Sequence, residues 1–474
     1  MNFDKIAVVR KKNRENILPC KEKYLYLHST KIRIYAKISK VMLIERNSYL
    51  QKLIARRDNG RVKVITGIRR CGKSVLLFDI YKEYLKKTGI KDSQIIEVHL
   101  DEKVNAEYRN PMNLDDYLQK RIGRKRSQFY VLIDEIQEVE PIQNPWLPDN
   151  KEAKITFVDV LIGLMNKKNV DVYVTGSNSR MLSKDVMTQF RDRGDEIHVN
   201  PLTYKEFYSS YQGDRRDAWG AFCTFGGLPK VATEATDEDR TAYLQNLMTR
   251  TYLRDVVERN KIQKDESLLR EMLLVVASSV GSLTNPKKLE QTFLSVRQQK
   301  LTDDTISRYL DYCEEAYLIK KAFRYDIKGR KYIGTPLKYY FTDVGLRNAL
   351  LNFRQSEENH LMENIIFNEL CVRGFSVDVG IVEYNYKDEE GKSKRRQVEV
   401  DFVVNKTNLR YYIQSAFAIP DDEKRNQETN SLRRIGDSYQ RIVVQRDLHL
   451  PYYDENGIYY IGLEDFLLKF IDEM

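Results

Sequence analysis

The chain has 474 residues, of which 42% are hydrophobic and 31% charged, and this composition indicates folded domains rather than disorder or low complexity. At roughly 100 to 200 residues per domain, the length predicts two to four domains. The sequence has no apolar stretch near the ~18 residues that cross a bilayer, and its five cysteines form no CxxC pair, so we expect a cytoplasmic protein without membrane spans, disulfides or structural zinc.

Most of the net charge of +10 lies in residues 1–41, which contain eleven Lys or Arg against three acidic residues. Met42 then opens a helix-like run. We interpret residues 1–41 as a basic leader that is disordered or a mis-assigned start, and the alternative is a basic arm for an acidic partner. Because the rest of the chain is nearly neutral, its charge alone is weak support for binding to nucleic acid.

Residues 42–230 alternate short apolar runs with helical periods, which is typical of βαβ units. An amphipathic helix with Leu76, Leu77, Ile80 and Tyr84 on one face follows the first run. We therefore predict an α/β domain with a parallel sheet. The predicted strands are residues 61–66, 94–100, 129–134, 170–176 and 196–202.

A glycine-rich motif, GIRRCGKS, joins the first predicted strand to that helix and satisfies the pattern GxxxxGK[ST], so the predicted sheet is that of a P-loop NTPase. In such a loop, backbone N–H groups at a helix N-terminus cradle phosphates, Lys73 reaches the β- and γ-phosphates, and Ser74 is a ligand of Mg²⁺. The residues expected to bind nucleotide are Gly67, Ile68, Arg69, Arg70, Cys71, Gly72, Lys73, Ser74 and Val75.

The third predicted strand ends in two acidic residues, in the run FYVLIDEIQEV, which is a Walker B pattern. Asp134 is expected to hold Mg²⁺ through water. Glu135 is expected to act as general base or to orient the attacking water. The alternative is a strand that simply ends in an acidic turn.

The fourth predicted strand ends in polar residues, where a sensor contacts the γ-phosphate or the lytic water. Ser177 or Asn178 is the predicted sensor, although these residue types also serve merely to turn a chain. Arg191 and Arg193 are the predicted cations for charge that develops on the γ-phosphate, supplied to a neighbouring subunit. They could equally be solvated arginines paired with Asp192 or Asp195.

Residues 231–345 combine consecutive helices with a hairpin. The hairpin tip, Lys328–Lys331, is basic and flanked by Tyr325 and Tyr332, as in a wing that contacts DNA. The preceding helix is rich in acidic residues that repel phosphates. The alternative is a module that packs the ATPase region against the C-terminal domain.

Together these motifs resemble the AAA-type ATPases of bacteria and archaea, the AAA-14 group, whose C-terminal part is the DUF4143 domain. The similar segments include ITGIRRCGKSVLL, VLIDEIQEV, TGSNSRMLS, RGDEIHVNPLTYKEF and KYYFTDVGLRNALL, and the resemblance spans roughly residues 42–470. It implies an AAA core, a helical lid and a winged-helix-like region at residues 231–345, and a DUF4143 domain of restriction-endonuclease-like fold at residues 346–474.

The resemblance also implies a metal site in residues 346–474, where Glu363 and Asp401 match two of the expected carboxylates. At the expected Glu-x-Lys, Gln414 replaces the acid and Ala416 the lysine. We therefore expect a degenerate domain that does not cleave nucleic acid. The alternative is an active nuclease with a displaced ligand, supplied by Glu399 or Glu369.

The sequence thus predicts an ATP-hydrolysing motor or switch that uses ATP and Mg²⁺ and couples nucleotide state to its attached domains. The expected partners are further copies of the chain or another protein, and DNA stays open as a third. The alternative function is a nucleotide-gated scaffold with negligible turnover. Glu135 separates the two, because a scaffold gains nothing from an acid that activates water.

Overall fold

The computed structural model describes residues 44–474 except 125, 178–193, 263–265, 298–300 and 356. The predicted basic leader, residues 1–41, lies outside the described residues. Arg46–Met474 pack together as one unit. No helix in the described part of the chain is both long and apolar enough to cross a membrane.

A five-stranded, fully parallel sheet forms the centre of the N-terminal half and confirms the predicted α/β class. Its strand order is β2, β3, β4, β1, β5. All of the predicted strands are present, because runs of β-branched and aromatic residues fit a sheet that is covered on both faces. The strands are β1 (Val62–Thr66), β2 (Ile95–His99), β3 (Phe129–Asp134), β4 (Val170–Thr175) and β5 (Gly194–His198).

Helices cover both faces of this sheet. Leu76 and Leu77 of the predicted amphipathic helix pack in one apolar cluster, and Leu114 and Leu161 pack in the cluster on the other face. The covering helices are α1 (Asn47–Ala55), α2 (Val75–Tyr81 continuing as Lys82–Lys87), α3 (Pro111–Ile122) and α4 (Phe157–Met165). Short 3₁₀ turns lie at Asp92–Gln94, Lys103–Arg109 and Ile136–Glu138, and a small hairpin pairs Ile142–Gln143 with Lys154–Ile155.

The middle of the chain is helical, as the sequence predicts. Its helices are α5 (Tyr204–Ser210), α6 (Ala218–Phe225), α7 (Pro229–Thr233), α8 (Asp237–Leu247, Met248–Leu253 and Arg254–Arg259), α9 (Glu266–Ser278), α10 (Pro286–Arg297) and α11 (Asp303–Glu315). Helix α8 packs its apolar residues, such as Leu244 and Tyr252, into the same cluster as helix α2. The helical region therefore shares a core with the parallel sheet.

An eight-stranded mixed sheet forms the C-terminal half, and its strand order is β12, β13, β11, β10, β9, β8, β6, β7. The strands are β6 (Ile319–Asp326), β7 (Lys331–Phe341), β8 (Ser376–Lys387), β9 (Ser393–Lys406), β10 (Leu409–Ala416), β11 (Gln440–Gln445), β12 (Tyr452–Tyr453) and β13 (Tyr459–Gly462). Its helices are α12 (Val344–Leu350), α13 (Glu358–Val372), α14 (Asp422–Arg433) and a C-terminal α15 (Leu463–Asp465, Phe466–Phe470 and Ile471–Glu473).

The predicted hairpin, β6 and β7, belongs to this C-terminal sheet. Strand β6 pairs in parallel with β8, with Arg324 opposite Val379 and Asp326 opposite Ile381. Backbone hydrogen bonds therefore continue across the predicted domain boundary at residue 345. A winged-helix-like region is not confirmed, since the expected wing is the edge of a larger sheet.

Candidate nucleotide-binding site

The glycine-rich loop begins directly after β1 and leads into α2. Gly67 has φ 139°, and a Cβ placed there would lie 2.1 Å from the backbone oxygen of Val199. Gly72 has φ 98°, and Arg70 also adopts a left-handed conformation with φ 62°. Only glycine fits the close approach at position 67, so the spacing of the motif follows from backbone geometry.

Lys73 is almost fully buried, and its ammonium group folds back into the loop. Its Nζ donates to the backbone oxygens of Gly67 at 3.0 Å and Ile68 at 3.2 Å. The loop therefore wraps around the lysine head group. Cys71 fixes the base of the loop, because its buried thiol donates to the backbone oxygen of Val199 at 3.2 Å.

Asp134 lies at the end of β3, beside the loop. Burial raises its pKa, and hydrogen bonds with Thr175 and Ser74 lower the pKa by a smaller amount. The structure thus brings Ser74 and Asp134 together, the two residues that the sequence predicts as Mg²⁺ ligands. His99, on the neighbouring strand β2, places its Nδ1 3.9 Å from Asp134 Oδ2.

Thr175 connects the two Walker B residues and was not predicted from the sequence. Its hydroxyl donates to Asp134 Oδ1 and accepts from the backbone N–H of Glu135 at 3.0 Å. Glu135 has a left-handed backbone with φ 51°, and its half-buried carboxylate accepts from Gln137. The sequence could have indicated Thr175, because this residue ends β4, and β4 is hydrogen-bonded to the strand that carries Asp134.

The predicted sensor and arginine residues are described only in part. Ser177 is buried just beyond β4, and the preceding Gly176 N–H donates to the backbone oxygen of Ile65 at 3.0 Å. Asn178, Arg191 and Arg193 lie outside the described residues. Asp195, a considered partner of the arginines, forms an ion pair with Arg61 at 3.1 Å.

Helix α8 contacts the loop at Arg69. Tyr252 Oη donates to the backbone oxygen of Arg69 at 2.5 Å, and the Arg69 guanidinium pairs with Asp255 at 2.8 Å. Val75, the last predicted nucleotide-binding residue, begins α2 with its side chain 42% exposed. The helical region is therefore joined to the nucleotide loop by two polar contacts that the sequence motifs did not indicate.

His198 is the last residue of β5 and lies opposite Thr66, the residue of β1 that precedes the loop. Its Nδ1 lies 3.0 Å from Thr66 Oγ1, at the point where β1 and β5 run side by side. Burial, together with the positive charges of Lys320, Lys73 and Lys52, lowers the pKa of His198 to about 3. The imidazole is therefore neutral at physiological pH.

The acids of the second predicted site, in the C-terminal sheet, also lie close together. Lys338, which the sequence did not predict, lies among them. Glu363 and Glu399 both contact Lys338, and the Asp401 carboxylate lies 3.9 Å from its ammonium. Gln414 is close to this group, since its Oε1 lies 3.4 Å from the backbone nitrogen of Asp401. Glu369 is elsewhere, paired with Arg373 at 2.5 Å and accepting from the backbone N–H of Tyr204.

Two family models match the chain. The model of the AAA domain AAA_14 matches residues 59–208, and that of a domain of unknown function, DUF8612, matches residues 216–357. With the parallel sheet and the loop at its edge, the first match defines an AAA-type P-loop ATPase fold. The expected DUF4143 domain at residues 346–474 is not confirmed, because the second match carries a different name and ends at residue 357.

Relatives extend over most of the chain. A Haemophilus influenzae protein with the name "Uncharacterized protein" is 33% identical over 440 residues, covering 91% of this chain and 100% of that protein. The protein MJ1544 of Methanocaldococcus jannaschii is 26% identical over 417 residues, covering 82% of this chain and 86% of that protein. The chain therefore belongs to the same family as the Haemophilus influenzae protein, and its residues 59–208 match the AAA domain AAA_14.

Solved structures are similar at low identity. The Walker-type ATPase PABY2304 of Pyrococcus abyssi is 15% identical, with a TM-score of 0.45 over 65% of this chain and 96% of that one. The Aeropyrum pernix Orc1 protein, solved in complex with DNA, is 13% identical, with a TM-score of 0.32 over 65% of this chain and 93% of that one. The family assignment depends on the sequence matches and not on these similarities.

Proposed function

We propose that the chain binds ATP at residues 67–75 and hydrolyses it in an Mg²⁺-dependent reaction. The observation that carries this proposal is the meeting of Ser74 and Asp134 beside Lys73, at the end of a parallel sheet. Lys73 would exchange its two carbonyl partners for phosphate oxygens, and the loop N–H groups would bind the phosphates at the start of α2.

The residues present fit a magnesium ion. Ser74 offers a hydroxyl oxygen and Asp134 a carboxylate oxygen, the hard ligands that Mg²⁺ prefers. Bound there, the ion would neutralise charge on the β- and γ-phosphates. The protein's own part is to hold Asp134 in place, which Thr175 does through its hydrogen bond to Oδ1.

Glu135 supports hydrolysis over the alternative of a nucleotide-gated scaffold with negligible turnover. Its backbone adopts the left-handed conformation, which is strained for a residue with a side chain, and Thr175 holds the Glu135 N–H in that arrangement. Strain of this kind is typical of functional sites. We propose that Glu135 takes the proton of the attacking water and that Ser177 or Asn178 contacts the γ-phosphate.

The test is ATP turnover by Glu135→Gln, which keeps the shape of the side chain and removes the proton acceptor. We expect turnover to fall by ~10²-fold or more while the Kd for ATP changes little. Glu140→Gln, at an exposed acid on the same loop, is the matched control and should keep wild-type turnover. Wild-type protein that binds ATP tightly without hydrolysing it would favour the scaffold.

We further propose that the nucleotide state is passed to the helical region through Arg69. The Arg69 contacts with Asp255 and Tyr252 join the loop to α8, so a loop that rearranges around phosphates also changes these contacts. Tyr252→Phe removes one of them and keeps the apolar packing. It should alter the ATP-induced change in proteolysis of residues 237–259 without abolishing ATP binding.

We propose that the chain forms a homo-oligomer, because the role proposed for Arg191 and Arg193 requires a neighbouring subunit. If Arg191 or Arg193 completes the site of a neighbouring subunit, specific ATPase activity should rise with protein concentration, and ATP should favour a larger assembly in light scattering. A monomer with concentration-independent activity would contradict this proposal.

DNA is a separate partner proposal that depends on the exposed hairpin tip, Lys328, Arg330 and Lys331. Two acidic residues of helix α11, Asp311 and Glu314, pair with Lys321 of β6, so part of the negative charge of this helix is compensated. These ion pairs also support the alternative that the hairpin is a packing module. ATPase turnover and gel shifts with and without DNA, for wild type and Arg330→Ala, distinguish the two.

A further inference from the structure

A lysine stands among three carboxylates in the C-terminal sheet. Lys338 on β7 donates to Glu363 Oε1 of α13 at 2.9 Å and to Glu399 Oε1 of β9 at 2.6 Å. Its ammonium also lies 3.9 Å from Asp401 Oδ1. The lysine side chain is only 4% exposed, so its charge is compensated by these carboxylates and not by bulk water.

The carboxylates are held in place by further hydrogen bonds. Tyr340 Oη donates to Glu363 Oε1 at 2.6 Å, and the Ser415 N–H donates to Asp401 Oδ2 at 2.8 Å. The acids are therefore held in place around the Lys338 ammonium.

Two kinds of cation satisfy such a group: a divalent metal ion or an ammonium ion. The family resemblance implies a metal held by Glu363 and Asp401, but the residues present do not fit one. Lys338 already donates to Glu363 and Glu399, and Gln414 contributes a neutral amide near Asp401. Across the described ranges, no group of three or more His, Cys, Asp or Glu side chains is arranged to hold a metal ion.

We propose that the Lys338 ammonium is the resident cation of the Glu363, Glu399 and Asp401 cluster and excludes a divalent metal ion from it. The lysine that the sequence lacks at position 416 is thus replaced by an ammonium group from a different strand. The ammonium group hydrogen-bonds directly to two of the three acids. The cluster then serves to hold α13, β7 and β9 together.

If Lys338 excludes the metal ion, its removal should increase metal binding by the protein. Lys338→Met keeps much of the apolar stem and leaves the acids without their cation. In the full chain without nucleotide, this variant should bind about one more Mn²⁺ than wild type, measured by electron paramagnetic resonance. Its Tm should rise with added Mn²⁺ by several degrees more than that of wild type, because a ligand that binds only the folded state stabilises it.

Matched variants locate the effect. Lys387→Met, at the exposed end of β8 in the same sheet, should behave as wild type. The added Mn²⁺ should disappear in the double variant Lys338→Met/Asp401→Asn. Lys338→Arg keeps a positive charge and should also exclude Mn²⁺, and it provides a folded comparison if the methionine variant does not fold.

Two results would overturn the proposal. One is Mn²⁺ binding by the wild-type protein that Asp401→Asn or Glu363→Gln removes, since the cluster would then hold a metal beside the lysine. The other is a folded Lys338→Met protein whose Mn²⁺ binding and Tm match those of wild type. Neither readout depends on ATP hydrolysis, so the proposal stands or fails separately from the nucleotide site.

Discussion

Lys63 on β1 and Asp171 on β4 form an ion pair in which the side chains are 0% and 2% exposed. Asp171 also accepts from Tyr173 Oη at 2.7 Å and from the backbone N–H of Asp58 at 2.9 Å, and Lys63 donates to the Arg61 backbone oxygen at 2.9 Å. The pair lies at the end of the sheet where these strands begin. It is therefore a structural feature, away from the loop that follows the other end of β1.

We expect Lys63→Met to lower the free energy of unfolding by ~3 to 5 kcal/mol, because it leaves a buried carboxylate without its partner. Urea unfolding of the purified chain measures this loss. The half-exposed pair of Lys82 and Glu97, at 2.7 Å, supplies the control. Lys82→Met should cost ~1 kcal/mol or less, and equal losses for the two variants would show that burial of the pair does not matter.

Lys73→Ala should weaken ATP binding by ~10²-fold or more, since it removes the ammonium that the loop surrounds. Titration calorimetry with ATP and Mg²⁺ measures the Kd. Lys87→Ala, an exposed lysine near the end of the same helix, should bind as wild type. Micromolar ATP binding by Lys73→Ala would contradict the assignment of residues 67–75 as the phosphate-binding loop.

Thr175→Val should lower kcat by ~10-fold or more with a smaller change in KM, because it removes the hydroxyl that positions Asp134 and the Glu135 backbone. A larger change in kcat than in KM would indicate that Thr175 positions the catalytic groups. A merely structural role would lower stability and leave kcat unchanged. Thr175→Ser retains the hydroxyl and should restore most of the activity. Equal kcat values for the valine and serine variants would refute the role.

His198 should make the folded state less stable as the pH falls. The unfolded state binds a proton near pH 6.5, whereas burial keeps the folded pKa at about 3. Stability is therefore fully present above pH 6.5 and is lost toward pH 3, by about 1.4 kcal/mol at pH 5.5 for this one group. Between pH 7.5 and 5.5, the unfolding free energy of wild type should therefore fall by about 1.4 kcal/mol more than that of His198→Phe.

The exposed His449 provides the control for this measurement. His449→Phe should keep the pH dependence of wild type over the same range. A constant difference between wild type and His198→Phe would mean that the buried imidazole is not the group that takes up the proton on unfolding.

The sequence by itself determined the class of the N-terminal half. All five strands of the parallel sheet were predicted, since continuous apolar runs separated by helical periods are local patterns. The loop at residues 67–75 was also predicted, because its motif is a short sequence pattern that places Gly67 where only glycine fits. The acids at the end of β3 were predicted because they directly follow an apolar run. Strand β8 was not predicted, since only its first half is buried and its second half is polar and exposed.

Outside the residues of the motifs, only the tertiary structure decided which polar side chains meet. Lys63 and Asp171 are 108 residues apart, Thr175 and Asp134 are 41 apart, and Lys338 and Glu363 are 25 apart. Apolar periodicity reports which face of an element is buried, but the partner of a polar group depends on strand order, which long-range pairing sets. For this reason Ala416 suggested a missing lysine, whereas the folded chain supplies Lys338 from another strand.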